Sequence, residues 1–415
     1  MNETITARVC VMGAGPVGGA LACRLAAAGV STVVIDRAAL PPMAHPAFDG
    51  RAYAIAAGSR ALLEASGVWA KLPDSPSPIL DIRVTDGRIG RAASRLFLHF
   101  DHREAGEGSG PFGWMVEARG LRMALNAHLH TLPDLRVFAP AVARVERSDD
   151  GARVHIQDGP VIACELVIAA EGRHSETREA AGIPVTHVPY DQTGIVCAIS
   201  HELPHHGVAL EHFLPSGPFA VLPMAPSPDA EAGGAAHVSA VVWTERTRIA
   251  DIVLALDDAR FAREVARRLG DYLGAIRTVG RRWSYPLSAM LVHRYVDTRL
   301  ALAGDAAHGI HPIAGQGLNL GFRDAIALAD LVIAAADAGE DVGDPKLLAR
   351  YQRARRPDNL TMLAMTDGLD RLFSTDRRGV RLLRDLGLGA VNRAVPLKRV
   401  FMRRAMGLGV DGQVG

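Results

Sequence analysis

Residues 7–37 read "ARVCVMGAGPVGGALACRLAAAGVSTVVIDR", and their order constrains the fold more than any other feature of the chain. A strand-like run, Val9 to Met12, leads into Gly13-x-Gly15-x-x-Gly18. An Ala/Leu-rich helical segment follows, then a break at Gly29 and a second β-branched run, Thr32 to Ile35, closed by Asp36. Strand, glycine turn, helix and second strand in that order predict a βαβ unit carrying the dinucleotide fingerprint. Gly13 allows the tight turn, Gly15 lets the backbone approach a pyrophosphate, and Gly18 lets helix and strand pack closely. The helix N-terminus, with Pro16 and Val17 in its first turn, presents unpaired N–H groups to negative phosphates. Asp36 is placed to accept hydrogen bonds from an adenosine ribose, with Arg37 beside it. The position of the unit at the N-terminus favours FAD over NAD.

A second stretch, "GDAAHGIHPIAGQGLNLG" (304–321), is a poor helix and a poor strand. The strand-like "LALAG" before it ends at Gly304 and Asp305, where a carboxylate can bind a sugar-like polyol. Pro312 to Gly317 gives bare backbone just ahead of a helix, "LNLGFRDAIALADLVIAAA". A helix N-terminus attracts negative charge, and a reduced flavin carries such charge on its N1/O2 edge. A flat ring also needs a glycine-rich main chain to lie against. Pro312, Gly315, Gln316, Gly317, Leu318 and Asn319 are therefore expected against an isoalloxazine. "ELVIAAEGRHSETREAAG" (165–182) repeats the first unit's logic, with a buried strand ending at Glu171-Gly172. Arg51, after an Asp-Gly turn, and Arg119, near the start of the helical run 115–132, are candidate cofactor contacts.

With 415 residues the chain is long enough for two or three domains. A net charge of +1 argues against general nucleic-acid binding. Cys10, Cys23, Cys164 and Cys197 form no CxxC pair and read as small buried hydrophobes in a reducing cytoplasm. Histidines 201, 205, 206 and 212 lack a carboxylate or cysteine at metal-ligand spacing, so no metal site is expected. No secretory signal precedes the first strand, and the longest apolar helical stretch, Ala325 to Ala338, is too short to span a bilayer.

"GAGPVGGALACRLA", "DGRAYAIAAGSRALLEASGVW", "FLPSGPFAVLPM", "YPLSAMLVHRYV" and "LAGDAAHGIHPIAGQGLNLGFRDAIALA" occur together in this chain. In this combination the chain resembles the class A flavoprotein aromatic hydroxylases related to p-hydroxybenzoate hydroxylase. Within them it is most similar to the ubiquinone-biosynthesis (UbiH-like) hydroxylases, over nearly its whole length. The resemblance implies an α/β fold with a Rossmann-like FAD-binding domain of the p-hydroxybenzoate hydroxylase type, an inserted β-sheet substrate domain and a helical C-terminus. The expected division is a discontinuous FAD domain (1–75, 106–182 and 291–336), a substrate sheet (76–105 and 183–290) and a C-terminal helical region (337–415).

The same resemblance implies non-covalent FAD, with NAD(P)H as a transient co-substrate; no second GxGxxG stands between a strand-like run and a helix to mark a separate nicotinamide domain. It implies that O2 adds at the flavin C4a and that the hydroperoxide delivers oxygen to the ring of a polyprenylated phenol. Pro312 is the implied position near the reacting edge, and His308 or His311 is a candidate proton relay. The group that favours the phenolate is not identified by the sequence. One departure stands out: Glu171-Gly172 occupies the place of the family's Asp-Gly, so the carboxylate is one methylene longer. Two alternatives share the FAD fold: another flavin-dependent oxidoreductase, or a non-catalytic accessory flavoprotein of the ubiquinone biosynthetic complex. Other ubiquinone-biosynthesis proteins are the implied protein partners. Residues 377–404 hold nine Lys or Arg and a single acid, Asp385. They read as one or two short amphipathic helices with a basic face, suited either to the inner face of the cytoplasmic membrane or to packing as a helical tail on the FAD domain.

Overall fold

The computed structural model describes residues 3–40, 50–87, 89–90, 97–105, 110–226, 237–311, 315–373, 398–399, 402–403 and 406–407. Its first sheet is built on a parallel core in the order Leu300–Leu302, Val161–Ala169, Thr4–Met12, Thr32–Ile35, Leu135–Phe138. These strands are near-continuous apolar runs because helices cover both faces of such a sheet; Val9, Cys10, Val11, Leu166, Val167 and Ile168 are fully buried. Register does the rest. Met12 pairs with Ala169 and with Ile35, and Ala169 pairs with Leu302. Four strands therefore end in one row, and the loops after them emerge together at one sheet edge. Ligands bind at such an edge in open α/β sheets.

The helix Pro16–Ala27 leaves the first strand through the glycine turn. Gly13 has φ +102°, and a Cβ at Gly18 would sit 2.0 Å from the Gly13 carbonyl oxygen, so this crossing excludes any larger residue. The long helix Gln316–Asp337 is buried through Leu320, Phe322, Ala325, Leu328 and Val332, and Pro345–Phe373 follows it.

A second, eight-stranded sheet runs in the order His308–Gly309, Ile276–Val292, Val185–His201, His237–Arg246, Gly217–Met224, Val208–Leu214, Asp81–Asp86, Leu98–Asp101. Helices Thr247–Leu254 and Asp258–Leu269 cover one face around Trp243, Phe219 and Phe261. The other face carries alternate residues such as Ala198, Ala209 and Ala240. It packs on a small antiparallel sheet of Ala52–Ala56, Gly113–Glu117 and Ser77–Ile79. Within residues 76–105, Ser77–Ile79 thus joins the small sheet while Asp81–Asp86 and Leu98–Asp101 extend the large one. All four cysteines are free and buried. Among the described residues no helix is long and apolar enough to cross a membrane.

Candidate active site

A cavity of about 600 Å³ opens where the parallel strands end, within the range of small-molecule sites. Gly13, Gly15, Pro16, Val17 and Asp36 come to it from the first βαβ unit. Arg51, Tyr53 and Ala54 enter from the small sheet, and Glu171, Gly172 and Arg173 from the middle strand. Asp305, His308, Gly315, Gly317 and Leu318 come from the second glycine-rich stretch. The large sheet closes the far side with Val196, Leu222, Val242 and Tyr285. Segments distant in sequence thus meet on one void.

The wall suits a flavin nucleotide on two independent grounds. A Cβ placed on Gly15 or Gly317 would meet nothing within 4 Å, so the space at each belongs to the cavity and not to packing. Both helix starts at the cavity also lack a side-chain cap. Gly15 caps Pro16–Ala27, and Gly315, in the left-handed region at φ 62°, caps Gln316–Asp337. Their uncapped N–H groups and positive dipole ends offer two anion sites in one cavity. Arg51 adds a cation, with its guanidinium 4.2 Å from the Trp283 ring centre.

The acids differ in how they are held. Asp36 accepts from the Ala14 amide at 2.7 Å and the Ala38 amide at 2.8 Å, which fixes its carboxylate at the rim. Asp305 is half-exposed and accepts from Arg173 Nε at 3.2 Å; Arg173 also donates to Ser288 Oγ at 3.1 Å. Glu171 accepts from Ser175 Oγ at 2.5 Å and from the Thr177 amide at 3.3 Å. The longer carboxylate therefore reaches back to the start of the helix Glu176–Ala180 while still lining the cavity.

Other residues singled out from the sequence lie behind this wall. Gly18 is consumed by packing, and Gly304 (φ 62°) turns the chain beneath Val17. Asn319 accepts from the Ala56 amide at 2.9 Å and donates to the Ala54 carbonyl at 2.8 Å, tying its helix to the small sheet. Gln316 and Asn319 line a separate, smaller cavity. Arg37 is paired with Glu176, and Arg119 with Glu117 at 3.0 Å; neither lines the large cavity. His311 is buried, with Nε2 3.3 Å from Gln192 Oε1 and its ring against Tyr190, and burial lowers its pKa. Pro312 lies outside the described residues. Among the described residues no cluster of His, Cys, Asp or Glu could hold a metal ion.

One group escaped the sequence reading. Asp324, fully buried, takes Arg355 Nε at 2.9 Å, Asn359 Nδ2 at 3.0 Å and the Gly304 amide at 3.0 Å, with His308 Nε2 at 2.5 Å. Burial alone would raise its carboxyl, but His308 and Arg355 outweigh that and hold it at about 2. The adjacent Arg323 and Asp324 inside a largely apolar helical stretch, "GFRDAIALADL", were the available signal.

The chain matches the family model for the FAD binding domain over residues 6–366. It is 49% identical to ubiquinone hydroxylase UbiL of Rhodospirillum rubrum, over 97% of this chain and 90% of that protein. The chain belongs to the ubiquinone-biosynthesis flavin hydroxylases. It is 33% identical to the 3-demethoxyubiquinol 3-hydroxylase of Escherichia coli, over 96% of this chain and 98% of the relative. The crystal structure of p-nitrophenol 4-monooxygenase PnpA from Pseudomonas putida shares the hydroxylase fold, with a TM-score of 0.75, 19% identity, and coverage of 97% and 98%. The cofactor of this hydroxylase is FAD, and its chemistry is that of a monooxygenase.

Proposed function

We propose that this hydroxylase oxygenates the ring of a polyprenylated phenol on the route to ubiquinone, with NAD(P)H as passing reductant and O2 as oxygen donor. The observation that carries the reading is the cavity itself: two uncapped helix starts and three acids on one side, an apolar sheet face on the other. FAD, when bound, supplies the redox chemistry between NAD(P)H, O2 and the ring. The chain supplies the rest. Gly15 and the first helix would hold the pyrophosphate, Asp36 the adenosine ribose, and Asp305 the polyol chain. The Gly315–Leu318 backbone supports the ring system and its developing negative charge. Glu171 and Arg173, which line the same cavity, would receive the nicotinamide. Val196, Leu222 and Val242 keep water from the reacting face, which limits loss of the activated oxygen.

A polyprenylated substrate stays in lipid, so the reading includes peripheral contact with the membrane through the basic residues of segment 377–404. Most of that segment lies outside the described residues. Lys398 is buried and paired with Glu104 at 2.5 Å, and Met402 is buried against Ile79, Phe112 and Met115, so these two residues are assigned to the protein body instead. Other ubiquinone-biosynthesis proteins are the natural partners there. Deleting the gene and profiling quinones by mass spectrometry tests the proposal. It predicts accumulation of a prenylated precursor short of one ring hydroxyl; an unchanged profile overturns it.

A further inference from the structure

Beside the large cavity lies a smaller one of about 80 Å³, and the two meet at Ala54 and Leu222, which line both. Its lining is apolar (Ile55, Ile79, Ile82, Phe112 and Ala209 among others) except for Gln316, Asn319 and the carboxylate of Glu211. Glu211 is the single ionisable side chain among the described residues of that wall, and it is only 8% exposed.

Strand register places it on the sheet face that closes the large cavity. Val196 pairs with Val242, Val242 with Ala220, Ala220 with Glu211, and Glu211 with Val84. Directly opposed residues share a face, so this row runs from two walls of the large cavity straight to Glu211. A carboxylate in such a row has no packing reason to be there. Among the described residues nothing donates a hydrogen bond to it or pairs with its charge.

The charged groups around it are engaged elsewhere. Arg83 and His212 alternate to the opposite face, where Arg83 lies over Tyr272 and His212 meets Thr85. On the helix Gln316–Asp337, Arg323 pairs with Asp358 and Asp324 with His308 and Arg355. Burial without a compensating partner pushes the Glu211 carboxyl up to about 7, where a proton acceptor works best near neutral pH.

We infer that Glu211 is the catalytic residue that binds the substrate's phenol hydroxyl and accepts its proton. This rests on the reading of the substrate as a phenol. An engineered cavity that admits benzene is about 150 Å³, so a ring enters this smaller void only in part. Its hydroxyl end meets Glu211 while the remainder of the ring faces the large cavity. The phenol O–H breaks, a carboxyl O–H forms, and the electron pair left on oxygen makes the ring the stronger nucleophile. The proton returns to the product or to solvent, so Glu211 is regenerated with no net redox change of its own.

The test measures hydroxylation of 2-prenylphenol by the FAD-loaded enzyme with NADPH and O2, across pH. In the wild type kcat/KM rises with pH to a plateau through an apparent pKa near 7. Glu211→Gln lowers the neutral-pH rate about 100-fold or more and removes that limb. Its residual rate climbs instead toward the pKa of a free phenol, about 10. Glu211→Asp restores the limb at reduced rate, and FAD absorbance checks that each variant is folded. Should the Gln variant not fold, a wild-type profile without the limb overturns the assignment by itself. Wild-type turnover with an unchanged profile in the Gln variant removes only the role of Glu211. A wild type that binds FAD and leaves the phenol untouched removes the substrate reading along with it.

Discussion

His308 Nε2 stands 2.5 Å from Asp324 Oδ2, and neither side chain reaches solvent. The same Asp324 oxygen accepts from the Gly304 amide at 3.0 Å, so one carboxylate pins both ends of the turn that presents Asp305 to the cavity. Arg355 and Asn359 anchor it from the helix Pro345–Phe373. The turn's position is therefore set by a buried charge network reaching across two helices.

Replacing Asp324 with Asn takes from Arg355 its fully buried partner and leaves it only Asp358, at 2.9 Å and more than a third exposed; breaking a buried pair outright costs about 3–5 kcal/mol, so a loss below that range is expected. Chemical denaturation of the FAD-free proteins reads it. The sign with pH follows from the depressed carboxyl: its stabilisation is complete above the ordinary value of 3.8 and is lost as pH falls toward about 2. The gap between wild type and Asp324→Asn narrows over that window. A gap that stays constant would show that Asp324 acts without its charge.

Gly15→Val separates binding from folding. Gly15 has φ −62°, a conformation open to any residue, and a Cβ there meets no protein atom within 4 Å. The FAD-free variant should melt with the wild type, while the FAD dissociation constant rises at least about 100-fold, at 1.4 kcal/mol per tenfold. Fluorescence titration of flavin decides it, and an unchanged constant would remove the pyrophosphate from this helix start.

Asp305→Ala tests the polyol end. The Asp305–Arg173 pair is half-exposed, and such pairs contribute only about 0–1 kcal/mol. The variant should keep its fold by circular dichroism and its stability, yet purify with little flavin. Full FAD occupancy, measured by absorbance per chain, would contradict the assignment.

How much of this was legible beforehand depended on how local each cause is. The βαβ unit was readable because turn, helix start and strand end lie within one short stretch. The Gly315–Leu318 backbone was readable for the same reason. Arg37 and Arg119 looked equally well placed beside their motifs, but each has an acid within reach, Glu176 and Glu117, that draws it from the cavity. The backward reach of Glu171 to Ser175 and Thr177 depends on how the next helix is set after Gly172, which one added methylene does not reveal. Asp324 was hidden because its partners stand at 304, 308, 355 and 359. Glu211 was hidden because an acid in an apolar strand reads as an outward-facing residue until cross-strand register shows which face it shares.

Coupling of FAD to oxygen insertion into a phenol ring within one cavity can be measured directly. The most direct measurement supplies the FAD-loaded protein with NADPH, ¹⁸O2 and 2-prenylphenol, and follows product mass, oxygen uptake and NADPH oxidation together. One ¹⁸O atom is expected in each hydroxylated product, with NADPH, O2 and product in equal amounts. NADPH oxidised to yield only hydrogen peroxide, or a ring oxygen that comes from water, would contradict it.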